Sequence, residues 1–128
     1  MRKILIVDDN PDILQVMQLL LGSRGFEIEV TTKGEETLSK LESFQPGLIF
    51  LDVFLGGMDG RDLCKQLKTH SDSMHIPVIL FSANKVSIAS IEESQADAFI
   101  SKPFDITELV DQVNLLLPES LESESMTA

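Results

Sequence analysis

Three stretches of this chain leave little choice of fold. Ile4-Leu5-Ile6-Val7, Leu48-Ile49-Phe50-Leu51 and Val78-Ile79-Leu80-Phe81 are unbroken runs of large apolar residues. A strand with one face in water alternates apolar and polar residues. A strand that is apolar at every position needs cover on both faces, as in a parallel sheet flanked by helices. Each run also stops abruptly at a polar residue: Asp8-Asp9, Asp52 and Ser82 respectively. Pro77 precedes the third run, at the first strand position, where proline is tolerated.

Helical patterns fill the gaps. Asn10-Pro11 reads as an N-cap and first-turn pair with Asp12 at the positive helix end. Ile13, Met17, Leu20 and Leu21 follow at helical spacing until Gly22 and Gly25. Phe26–Val30 alternates with period two and reads as a strand nearer an edge. Lys33–Ser43 reads as a helix with Leu38 and Leu41 inward, and Arg61–Lys68 as one burying Leu63, Cys64 and Leu67. Asn84–Glu93 is a weaker helix, and Ala98–Ile100 a short strand. Asp105 and Glu108 fit a capping box ahead of Leu109, Val110, Val113, Leu116 and Leu117, and Pro118 stops that helix. Strand and helix alternate five times, which predicts an α/β, doubly wound, five-stranded parallel sheet with helices on both faces. Residues 1–118 form one domain in this reading, and 119–128 an acidic, disordered tail.

Charge narrows the class. Lys plus Arg number 10 against 21 Asp plus Glu, a net charge of −11. That argues against nucleic acid and anionic membrane surfaces and permits a cation site. The N-terminal apolar run is too short for a signal peptide, and no stretch approaches the roughly 20 residues that span a bilayer. One cysteine, Cys64, excludes an intramolecular disulfide, so a reducing, cytoplasmic setting is expected. Cys64 reads as core, and His70 and His75 as surface residues without metal spacing.

In an open parallel sheet, ligands bind beyond the carboxyl ends of the strands. There stand Asp8, Asp9, Asp52, Ser82 and, after the last strand, Lys102. Clustered carboxylates repel unless a cation neutralises them, and oxygen-only ligands select a hard ion such as Mg²⁺. Lys102 and Ser82 suit the oxygens of an incoming phosphoryl group. Asp52 is the carboxylate best placed as nucleophile, since Asp can form an aspartyl phosphate. Each residue alone has a bland reading as cap, loop acid or surface lysine; their joint occurrence at strand ends carries the inference.

Together with the strings Leu51-Asp52-Val53-Phe54-Leu55-Gly56-Gly57-Met58-Asp59-Gly60 and Asp97-Ala98-Phe99-Ile100-Ser101-Lys102-Pro103-Phe104, this set resembles the receiver domain of two-component response regulators. The resemblance runs over roughly residues 2–117. It implies a flavodoxin-like sheet of order 2-1-3-4-5. It implies that Asp52 takes a phosphoryl group from a phosphohistidine on a histidine kinase or histidine phosphotransfer protein. Asp9, Asp52 and the Phe54 carbonyl would bind Mg²⁺, with Asp8 assisting. Lys102 would pair with the phosphoryl group, Ser82 would move toward it, and Phe99 would turn inward in response. The Lys102-Pro103 peptide would be cis.

The chain departs from that family pattern in three places. Gly56 stands where proline is frequent, which predicts a looser loop after Asp52. Gln95 replaces a frequent glycine, at a cost of about 1 kcal/mol if the backbone there is left-handed. The segment from Ser82 to Lys102 is shorter than in chemotaxis-type relatives, which predicts a short or shifted fourth helix.

A stand-alone receiver is expected, since few polar residues follow Pro118. It would be a monomer that can dimerise on activation, and would signal by presenting the 84–116 face to a downstream protein. It would not be an enzyme in the usual sense. The alternative is an interaction module that keeps the fold and is never phosphorylated. A phosphatase with an Asp nucleophile is disfavoured because Phe54 stands where a second acid is needed. A nucleotide-binding flavodoxin relative is disfavoured because Asp8-Asp9-Asn10-Pro11-Asp12 would repel phosphate.

Overall fold

The computed structural model describes residues 2–118. The tail expected over 119–128 lies outside the described residues. The five strands are β1 (Lys3–Val7), β2 (Glu27–Thr31), β3 (Leu48–Asp52), β4 (Val78–Ser82) and β5 (Ala98–Ser101). They form one parallel sheet of order β2-β1-β3-β4-β5. The helices are α1 (Pro11–Gly22), α2 (Thr37–Phe44), α3 (Gly60–Thr69), α4 (Ile88–Ser94) and α5 (Ile106–Leu116).

The three continuous apolar runs are the three inner strands, and successive residues serve opposite faces, as strand geometry requires. Ile4, Ile6, Leu48, Phe50, Ile79 and Phe81 pack with Leu14, Met17 and Leu21 of α1 and with Leu109 and Val113 of α5. Leu5, Val7, Ile49, Leu51, Val78 and Leu80 pack with Phe44 of α2 and with Leu63, Cys64 and Leu67 of α3. Every inner-strand apolar residue is at most 1 % exposed. β2 lies at the sheet edge, as its alternation predicts. Phe26 stays outside it, buried just before the strand, and its amide donates to the Leu21 carbonyl.

Two helices start later than the sequence pattern suggests. Residues Gly34–Glu36 form a single 3₁₀ turn, so α2 begins at Thr37. That sets the helical phase: Thr37 and Phe44 are buried, Leu41 is partly buried, and Leu38 is half-exposed, contrary to the inward placement expected for it. α4 begins at Ile88, not near Asn84. Ser87 is its N-cap and its side chain accepts from the Ser90 amide, so a good cap three residues after Asn84 fixes the start. The helix is short and shifted, as the length of the segment predicts.

The loop after Asp52 folds back on itself. Phe54–Leu55 pairs antiparallel with Met58–Asp59 around Gly56-Gly57, and Gly56 has φ +65°. Gln95 at the end of α4 has φ +67°, the left-handed conformation in which glycine would be favoured. Gln95→Gly is therefore expected to stabilise the chain by about 1 kcal/mol. The check is a raised urea midpoint at unchanged slope.

Candidate functional site

Because the strands are parallel, their carboxyl ends share one edge of the sheet. β1 runs into Asp8, which is wholly buried, and Asp9, which is exposed. β3 ends in Asp52, 5 % exposed. β4 ends in Ser82, also buried, whose hydroxyl accepts from the Asn84 amide. Lys102 follows β5, its amide bonded to the Ser82 carbonyl. The Lys102–Pro103 peptide is cis.

The charges meet closely. Lys102 Nζ donates to Asp8 Oδ2 at 2.7 Å and lies 3.5 Å from Asp52 Oδ1. It also sits 4.5 Å from the centroid of the buried Phe81 ring, an arrangement favourable to a cation. Asp8 Oδ1 accepts from the Asn10 amide at 2.9 Å. Carboxylate oxygens of Asp8, Asp9 and Asp52 all lie within 4.8 Å of one another. Three carboxylates thus face one ammonium. Burial, and then the neighbouring Asp8, push the Asp52 carboxyl up to about 6, although Lys102 and the Phe54 amide pull it down. A divalent cation would offset that excess negative charge, and the all-oxygen donor set fits a hard ion.

Five of the predicted site residues, Asp8, Asp9, Asp52, Ser82 and Lys102, stand together at this edge. Phe54 follows on the next strand segment with its ring half-exposed. Phe99 lies on β5 opposite Leu80, partly buried, and packs against the α2–α3 side of the core. Cys64 is core: it is buried, and desolvation pushes its thiol up to about 11. His70 and His75 instead line an open cavity of about 720 Å³ at the amino ends of β3 and β4, away from the carboxylates.

Sequence reading missed the role of Gly60. It opens α3 against the backbone of the phosphoacceptor candidate: its amide donates to the Val53 carbonyl at 2.6 Å. A Cβ there would stand well inside van der Waals contact with the Asp52 carbonyl oxygen. Asp59 caps α3, its side chain accepting from the Arg61 amide, and the sequence signal for Gly60 is only that a glycine follows this acid.

Comparison with known proteins follows the same line. The response regulator receiver domain family matches residues 4–114. The chain is 33 % identical over 118 residues to the DNA-binding response regulator MtrA of Mycolicibacterium smegmatis, covering 91 % of this chain and 50 % of that protein. The chain spans about half the length of the curated relatives it matches. Among solved structures it resembles the signal receiver domain of a signal transduction histidine kinase from Syntrophus aciditrophicus, at 34 % identity and TM-score 0.85, covering 91 % of this chain and 90 % of that one. It also resembles a two-component response regulator from Clostridium difficile, at 27 % identity and TM-score 0.85, covering 94 % and 98 %.

Asp52 titrates at about 6 when folded against 3.8 unperturbed. Below the lower value it is protonated in both states and costs nothing. As pH rises to about 6 the unfolded chain ionises first, so stability is lost and stays lost above it. Asp52→Asn removes this loss. Its advantage in urea unfolding should grow from near zero at about pH 3.5 to at most about 3 kcal/mol at about pH 7.5; a pH-independent difference would refute the assignment. Gly60→Ala should cost about 2–3 kcal/mol, because a backbone carbonyl cannot rotate away from the added methyl. Thermal unfolding of that variant reads this directly.

Proposed function

The chain belongs to the response regulator receiver domain family, and from that premise we propose that Asp52 is its phosphoacceptor. The observation that carries the reading is the meeting of Asp52 with Asp8, Asp9 and Lys102, with Lys102 Nζ 3.5 Å from Asp52 Oδ1. An Asp52 carboxylate oxygen attacks the phosphorus of a phosphohistidine. The new O–P bond forms as the N–P bond breaks, and the leaving imidazole keeps that electron pair and takes a proton from solvent.

Asp8, Asp9, Asp52 and the Phe54 carbonyl would hold Mg²⁺, which supplies charge neutralisation between the carboxylates and the phosphoryl oxygens. The chain's own residues do the rest. Lys102 exchanges its contact with Asp8 for the phosphoryl oxygens. Ser82, buried beside it, offers a hydroxyl to one of them. Phe99, on the strand that leads into Lys102, follows Ser82 inward. The attacking form of Asp52 is the carboxylate; burial and Asp8 disfavour that form, and a bound divalent cation would favour it.

The donor is a histidine kinase or a histidine phosphotransfer protein, and the 84–116 face answers to a downstream protein. The chain assists its own phosphorylation and dephosphorylation without acting as an enzyme on other substrates. A cytoplasmic setting fits, and no helix among the described residues is long and apolar enough to cross a membrane. The word DNA-binding belongs to the longer relative. With a net charge of −11, this chain is not expected to engage nucleic acid itself.

Intact mass after incubation with acetyl phosphate and Mg²⁺ tests the reading. The native chain should gain one phosphoryl group, Asp52→Asn none, and chelation should abolish the gain. No gain with acetyl phosphate or with a panel of phosphohistidine donors would leave a receiver-fold interaction module in its place.

A further inference from the structure

α4 is held to the body of the protein in an unusual way. It has seven residues, and its Ile88 is 74 % exposed. Much of its attachment to α3 is polar. Arg61, Lys65 and Lys68 line one side of α3; the first two reach Ser90 and Glu93 of α4, and the third reaches Asp97 in the segment that follows it. Arg61 Nη1 donates to Ser90 Oγ at 3.2 Å, Lys65 Nζ lies 3.8 Å from Glu93, and Lys68 Nζ lies 2.6 Å from Asp97.

Arg61 differs from the two lysines because its other nitrogens are committed elsewhere. Nε donates to Asp59 Oδ1 at 3.0 Å and Nη2 to Asp59 Oδ2 at 2.8 Å. Its guanidinium carbon lies 5.9 Å from the centroid of the Phe54 ring. Phe54 and Asp59 face each other across the two-residue ladder that leaves Asp52. A single planar, rigid fork therefore grips the hairpin after Asp52 with two nitrogens and the first turn of α4 with the third. Lysine, with one ammonium, could not reproduce both grips.

We propose that Arg61 is a positioning residue that couples the 54–60 hairpin beyond Asp52 to the first turn of α4, so that the two segments loosen and tighten together. The link does not pass through Ser82 or Phe99. Its functional consequence rests on the phosphoacceptor reading: a partner that moves α4 would alter the surroundings of Asp52, and phosphorylation would alter α4, in equal measure because coupling is reciprocal. The link itself is a property of the unmodified chain.

Amide hydrogen exchange on the full chain, without metal or phosphoryl donor, tests it. Ser90→Ala removes the acceptor on α4 and touches nothing in the hairpin. It should nonetheless speed exchange at residues 54–60 by about fivefold, the low end for coupled sites. In an Arg61→Ala or Arg61→Lys background, Ser90→Ala should add nothing there. Both positions are exposed enough that the variants should fold, and circular dichroism verifies this. An effect of Ser90→Ala confined to residues 84–94, or one that persists without the guanidinium, overturns the coupling. A native chain that shows the coupling but gains no mass from acetyl phosphate keeps the Arg61 link and loses the phosphoacceptor reading. The reverse pattern does the opposite.

Discussion

Asp8 and Asp52 are carboxylates placed almost wholly out of water, close to each other and to Asp9, with Lys102 as the ammonium between them. Burying unpaired charge is costly, so such a cluster survives only where the surroundings compensate it. Here the compensation is partial. Lys102 and the Asn10 amide satisfy Asp8, while Asp52 keeps a raised pKa. The rest of the fold serves this partial compensation. Parallel strands bring the ends of β1, β3 and β5 to one edge. The two apolar layers of the sheet hold those ends rigid, so that the carboxylates cannot move apart to relieve their repulsion. What relieves it instead is a cation or a change of protonation.

The two faces of the molecule are built differently. α1 and α5 bury apolar stripes against the sheet, and α3 does the same on the other side. α4 meets α3 through polar and charged contacts, Arg61 to Ser90 and Lys65 to Glu93, and one of its two isoleucines, Ile88, is largely exposed. Apolar packing resists displacement because separation exposes surface to water. Polar contacts of this kind can be exchanged for water at small net cost. An element intended to move is better attached by the second kind, and the low-stability end of a fold is where such elements are found.

Much of this was legible before any coordinates. The unbroken apolar runs gave the inner strands, and the residue that ended each run gave the site, because strand direction alone places those residues together. The errors have specific causes. Leu38 faces outward because α2 begins only after the 3₁₀ turn at Gly34–Glu36 and its buried stripe runs through Thr37, Leu41 and Phe44. The start expected for α4 at Asn84 is too early because the Ser87 side chain supplies the cap, accepting from the Ser90 amide. Gly60 could not be read from sequence because its requirement is tertiary: the space its side chain would fill is occupied by the Asp52 carbonyl, from a strand that only the fold brings there. Arg61 was invisible for the same reason, since its partner Ser90 lies 29 residues away.

Gly56 ties the site to its periphery. At φ +65° this position excludes proline, whose ring fixes φ near −65°. The departure from the family pattern is therefore a change of loop geometry, and the loop that results is a hairpin closed around Gly56-Gly57. That closure sets Asp59 opposite Phe54. Asp59 in turn caps α3 through the Arg61 amide and clamps the Arg61 guanidinium over the Phe54 ring. Gly56 is the turn that lets the segment leaving Asp52 present a paired edge to α3, and through Arg61 to α4. On this view the glycine and the arginine form one arrangement. The turn fixes where the carboxylate of Asp59 stands, and the carboxylate fixes where the guanidinium can reach.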